Sequence, residues 1–181
     1  MMHTFTNKPH QNIFNQNYKY FIFEKNYTNK IKLKTLSSFI LKKEKQIINK
    51  TKQKYKDFVK KTPGWVDGST GLGVDSLTSR SPLYNLIDFK ETKYLKKIIK
   101  NAHLDFMQEL NLIVEDDLYI QCWANVMRKG DRIKKHFHSI NNYDYLSGHV
   151  CIQTKDTNTY YLEPYHKEKF ILKNNPGNIT L

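Results

Sequence analysis

Between Ser37 and Lys60, apolar residues recur at roughly helical intervals. Phe39, Ile40, Ile47, Ile48, Tyr55 and Phe58 form an incomplete stripe with lysines around the rest, which predicts a helix over about 37–60. Thr62-Pro63-Gly64 ends it. A second helix is predicted over about 91–111, where Leu95, Ile98, Ile99, Ala102, Phe106 and Leu110 fall on one face and read as a packing surface. Upstream, residues 1–35 read as loop and short extended pieces, with Lys19–Phe23 (KYFIF) as the strand.

After Glu115 the period shortens to two. LYIQCWANVMR (118–128) alternates and is rich in β-formers. YLSGHVCIQ (145–153), TYYLE (159–163) and KFILK (169–173) follow across polar turns, and NITL (178–181) opens a further strand after Pro176-Gly177. Helices followed by closely spaced strands without helical crossovers predict an α+β fold, its C-terminal part an antiparallel sandwich or barrel. Between the helices, GWVDGSTGLGVDSLTSR (64–80) is glycine-rich. Its spacing is neither a dinucleotide fingerprint nor a P-loop, and it reads as a loop needing positive φ angles.

The net charge of +13 over 181 residues suggests nucleic acid until it is divided. Residues 1–61 carry 15 lysines, no arginine and three acids, whereas 62–181 are nearly balanced. The charge thus separates a basic N-terminal segment with one helix (1–61) from a β-rich domain (62–181). Bidentate phosphate recognition wants arginine, so the basic segment reads as a solvated lysine face with weak attraction for polyanions, nucleic acid included. No apolar run is long enough to span a bilayer. Two cysteines, Cys122 and Cys151, make no disulfide framework and point to a reducing, cytoplasmic setting. Neither has the partners of a nucleophile.

The candidate chemistry lies in GDRIKKHFH (130–138). Residues i and i+2 of a strand share a face, so His136 and His138 can approach one cation together, and neutral imidazole suits Fe(II), Zn, Cu, Ni and Mn. Two surface histidines are the commoner source of this spacing. Here, however, the pair follows an alternating segment across a turn at Lys129-Gly130-Asp131, which predicts a position at the rim of a sheet. Asn125, Gln153 and Tyr161 sit on predicted strands and are candidates to line a pocket, or are ordinary surface and core residues. His149 is a core or supporting residue by the same reading, His103 belongs to the polar side of the second helix, and His166 to a loop.

WANVMRKGDRIKKHFH, YLSGHVCIQ, YYLEP and NNPGNITL, taken in order, resemble the 2-oxoglutarate/Fe(II) oxygenases of the prolyl-hydroxylase-like group that carries His-x-His. DGSTGLGVDSLTSR followed by YNLIDF is similar to the N-terminal part of such proteins. The resemblance covers roughly 64–181. It implies a double-stranded β-helix (jelly roll) with Fe(II) at its mouth and 2-oxoglutarate as cosubstrate. O2 would be used to hydroxylate an unidentified substrate, with succinate and CO2 released. By the resemblance His136 is the first metal ligand, and His138 stands where relatives carry a carboxylate. Asp144 is an alternative carboxylate. The resemblance also implies a distal histidine and a basic residue for 2-oxoglutarate on strands after the Pro/Gly turn. The chain reaches Leu181 before them, so it reads as an incomplete jelly roll. Two other readings stand beside it. A cupin-type metal enzyme shares the His-x-His spacing but has a Glu near the place of Asn142, Tyr143 and Asp144. A binding module would use the lysine-rich helix to dock nucleic acid or an acidic partner.

Overall fold

The structure is a computed structural model and describes residues 1–6, 19–62, 70–114, 117–136, 146–162 and 169–181. His138, Asn142, Tyr143, Asp144 and His166 lie outside these residues. Helices and antiparallel sheets together make an α+β architecture. The elements are β1 (Met2–Thr6), β2 (Lys19–Asn26), α1 (Lys30–Lys61), α2 (Lys93–Glu109), β3 (His149–Val150), β4 (Asn158–Leu162), β5 (Lys169–Lys173) and β6 (Asn178–Thr180). They fall into two compact units. One comprises 1–34, 98–115 and 146–181, the other 35–97 and 116–145.

Helix α1 begins at Lys30, earlier than the apolar stripe suggested, because Asn29 caps it. The Asn29 side chain accepts a hydrogen bond from the Lys32 amide at 3.0 Å. The buried face runs Leu33, Leu36, Ile40, Glu44, Ile47, Thr51, Tyr55, an unbroken series of three- and four-residue steps. The gaps in the stripe are therefore filled by two polar residues. Thr51 turns its hydroxyl onto the Ile47 carbonyl at 2.7 Å. Glu44 receives both terminal nitrogens of Arg128, at 2.7 and 3.2 Å. Helix α2 is shorter than expected at both ends. A 3-10 turn at Lys90–Thr92 precedes it, anchored by the fully buried Thr92, whose hydroxyl reaches the Leu86 and Phe89 carbonyls. At its other end Asn111 adopts φ 55°, and the Leu112 amide reaches back to the Met107 carbonyl at 2.9 Å, a Schellman closure with Asn in the left-handed position.

In the first unit the four-stranded sheet has the order β1-β2-β6-β3, all antiparallel, and β4-β5 is a separate hairpin. Phe23 and Ile179 are almost wholly enclosed, and Phe23 meets Phe106 of α2 with ring centroids 5.8 Å apart. The hairpin covers the face of the sheet that carries His3. Phe170 lies 4.7 Å from the His3 ring and 5.1 Å from Phe5. Gly148 is needed just before β3, because a Cβ there would stand 2.5 Å from the Thr180 carbonyl oxygen.

The expected strand at 118–128 forms no ladder among the described residues. In the second unit its backbone is instead held by side chains of the 81–86 segment. Asn85 accepts from the Cys122 amide and donates to the Ile120 carbonyl, while the Tyr84 hydroxyl takes the Ala124 amide. A single backbone bond, Leu86 N–H to the Cys122 carbonyl at 2.7 Å, joins them. Alternation marked an extended chain correctly, but its partner is an Asn/Tyr scaffold and not another strand. Likewise, among the described residues of the expected 145–153 strand, the ladder comprises His149 and Val150, while β4, β5 and β6 form where the alternation placed them. Six strands in one four-stranded and one two-stranded sheet are what the described residues contain.

Candidate metal and cosubstrate residues

His136 lies in the second unit, exposed, at the end of an extended run that follows the Lys129–Gly130 turn. Gly130 has φ 93°, as the turn reading required. The residues from Asp131 to His136 are not a strand, which corrects the sheet-rim expectation. Their backbone is met by the glycine-rich loop, where the Lys134 amide donates to the Thr70 carbonyl at 2.8 Å. Gly71, at φ 85°, lies so close that a Cβ would come within 3.1 Å of the Arg132 carbonyl oxygen. The His136 ring turns back on its own chain, with Nδ1 2.9 Å from the Lys134 carbonyl. A carbonyl can only accept, so Nδ1 carries a hydrogen, which in the neutral ring puts the lone pair on Nε2. That tautomer is the one a histidine adopts when it ligates through Nε2.

Asn125 is exposed in the same unit, and its side-chain oxygen accepts from Thr78 Oγ1 at 2.7 Å. The amide is therefore oriented by the glycine-rich loop. Gln153 and Tyr161 belong to the first unit. Gln153 is exposed, beyond the short β3. Tyr161, on β4, points at the sheet, where its hydroxyl is 3.2 Å from His149 Nδ1. Burial pushes the phenol up to about 12. The four described candidates thus divide two and two between the units.

The cluster that sequence reading missed is the one around His149. Register places Glu24, Thr180 and His149 side by side across β2, β6 and β3. Above them the Thr159 hydroxyl donates to Asn174 Oδ1 at 2.9 Å and lies 3.4 Å from His149 Nε2. Its single hydrogen being spent on Asn174, Thr159 accepts from Nε2–H, and Nδ1 accepts from Tyr161. Burial holds His149 below the usual imidazole range, in keeping with a neutral ring. Its sequence signal was parity alone, since His149 and Cys151 share a face of one short strand.

Both cysteines are inert by environment, as burial raises Cys122 and Cys151 alike to about 11. Among the described residues no three His, Cys, Asp or Glu side chains converge on a point that would hold a metal ion. Of the ligands expected from sequence they include His136 alone, and one imidazole is not a coordination sphere. No helix among them is long and apolar enough to cross a membrane. No protein-family model, curated protein or solved structure matches the chain.

Proposed function

We propose that this chain carries the metal-binding part of an Fe(II)- and 2-oxoglutarate-dependent oxygenase, with His136 and His138 as its metal-facing pair. The ordered resemblance from Trp123 through Gly130, His136-Phe137-His138 and Leu146-Ser147-Gly148 to Pro176-Gly177 is the basis of the reading. The observation that supports it structurally is the His136 ring, whose Nδ1 is committed to the Lys134 carbonyl, the orientation in which a neutral histidine would ligate through Nε2. Bound Fe(II) with 2-oxoglutarate and O2 would supply an oxidant for an unactivated C–H bond. The chain's own contribution is orientation. Thr70 fixes the Lys134 backbone whose carbonyl sets the His136 tautomer, and Thr78 fixes the amide of Asn125. The jelly roll, the cosubstrate roles of Asn125, Gln153 and Tyr161, and a cytoplasmic setting belong to the same proposal.

The test is anaerobic titration with Co(II) as a spectroscopic stand-in, followed by Fe(II) with 2-oxoglutarate. Metal binding that disappears in His136→Ala, and a weak metal-to-ligand charge-transfer band on adding 2-oxoglutarate, are expected. Equal metal affinity in wild type and His136→Ala would remove His136 from any metal site and overturn the reading.

A further inference from the structure

Arg80, at the end of the glycine-rich loop, is the most anomalous charged residue among those described. Its side chain is 3% exposed. One face of the guanidinium lies on the Tyr55 ring, with Cζ 3.7 Å from the centroid. Of its three nitrogens only Nη2 is hydrogen-bonded, to a single oxygen of Asp75 at 3.1 Å, while Nε and Nη1 are enclosed and have no partner among the described residues. The nearby hydroxyls accept nothing from it: Ser76 and Ser79 bond to one another and to the Gly73 carbonyl, Thr78 donates to Asn125, and none of the three is hydrogen-bonded to Arg80. A buried guanidinium with unmet donors is costly, and its planar fork suits an oxyanion held through two oxygens. Asp75 meets that demand only in part, with one oxygen on one nitrogen. Its side chain is 77% exposed, so its other contacts are with solvent and it can be exchanged.

We infer that Arg80 anchors a small oxyanion, carboxylate or phosphate, and that Asp75 is the tethered carboxylate which that anion displaces. The site does not rest on the oxygenase reading. It needs no metal and uses neither His136 nor His138.

Calorimetric titration of the full metal-free chain at low ionic strength, with inorganic phosphate in one arm and with succinate and 2-oxoglutarate in the other, tests it. Saturable binding is expected, and the arm in which it occurs assigns the ligand's head group. Asp75→Asn removes the competing carboxylate and is expected to tighten binding at least threefold. Arg80→Gln is expected to weaken it at least tenfold, and Arg80→Lys, which keeps the charge and loses the fork, to fall between. Binding equal in wild type and Arg80→Gln would report the lysine-rich surface and overturn the site. So would the absence of saturable binding in both wild type and Asp75→Asn, a variant altered only at an exposed side chain.

Discussion

Tyr161 donates its phenolic hydrogen to Nδ1 of His149 across 3.2 Å, joining the β4-β5 hairpin to the short strand β3. The bond lies in a directed chain that runs from Tyr161 through His149 and Thr159 to Asn174. Removing the phenolic oxygen leaves His149 Nδ1 without its donor. Tyr161→Phe should cost about 1–3 kcal/mol, the range for a buried polar group left unsatisfied. Urea unfolding of the two proteins measures it, and an unchanged midpoint would count against the network.

The same geometry sets a pH dependence. His149 is held below its ordinary value of 6.5 by burial, and His103 is displaced the same way by the same cause. The unfolded chain binds these protons at higher pH than the folded chain does. Their contribution is therefore complete above about pH 6.5 and is lost as pH falls from there towards the folded values. Around His149 stand the titratable groups Tyr161 and Cys151, both raised by burial, and Glu24 lies across Thr180 on β2. Denaturation midpoints at pH 8 and pH 5.5 should differ, and His149→Gln should reduce the difference.

Glu44 and Arg128 form a two-point ion pair in which the carboxylate is 11% exposed and the guanidinium 64%. Solvent screens the arginine, so the asymmetry decides the outcome. Arg128→Ala strands a nearly buried carboxylate and should lower the unfolding midpoint. Glu44→Met continues the apolar face of α1 and should leave the midpoint unchanged or raise it. A lower midpoint for Glu44→Met than for Arg128→Ala would reverse this account.

Gly148 lies against the Thr180 carbonyl oxygen and the Leu181 side chain, at 2.5 and 2.6 Å from where a Cβ would stand. Gly148→Ala must push β3 away from β6, and should cost about 1–3 kcal/mol, the usual range for overpacking. Amide exchange is the sharper readout, with protection lost at Cys151, whose N–H bonds the Asn178 carbonyl at 2.9 Å.

With both thiols raised to about 11 by burial, Cys122 and Cys151 should react slowly with a disulfide reagent at pH 7.5 and rapidly once the chain is unfolded. Fast labelling of the folded protein would show that their surroundings open.

The sequence by itself determined where α1 and α2 form and which segments are extended. Helical spacing and alternation are local properties, and Gly130 is a local turn signal, whereas the caps at Asn29 and Asn111 that set the helix ends came from the structure. The sequence also placed the imidazole of His136 after a glycine turn. Only the tertiary structure decided what each extended segment pairs with. Residues 118–128 alternate like a strand, yet Asn85 and Tyr84 take their backbone groups, whereas 178–180 become a strand paired on both sides. Alternation reports that one face will be buried and is silent on the partner. Buried polar residues were illegible for the same reason. Glu44 and Thr51 look like breaks in a stripe, and Arg80 like the end of a surface loop, until Arg128, the helix backbone and Tyr55 are seen against them. A polar residue goes inside only where a distant group meets it, and that distance is fixed by the fold.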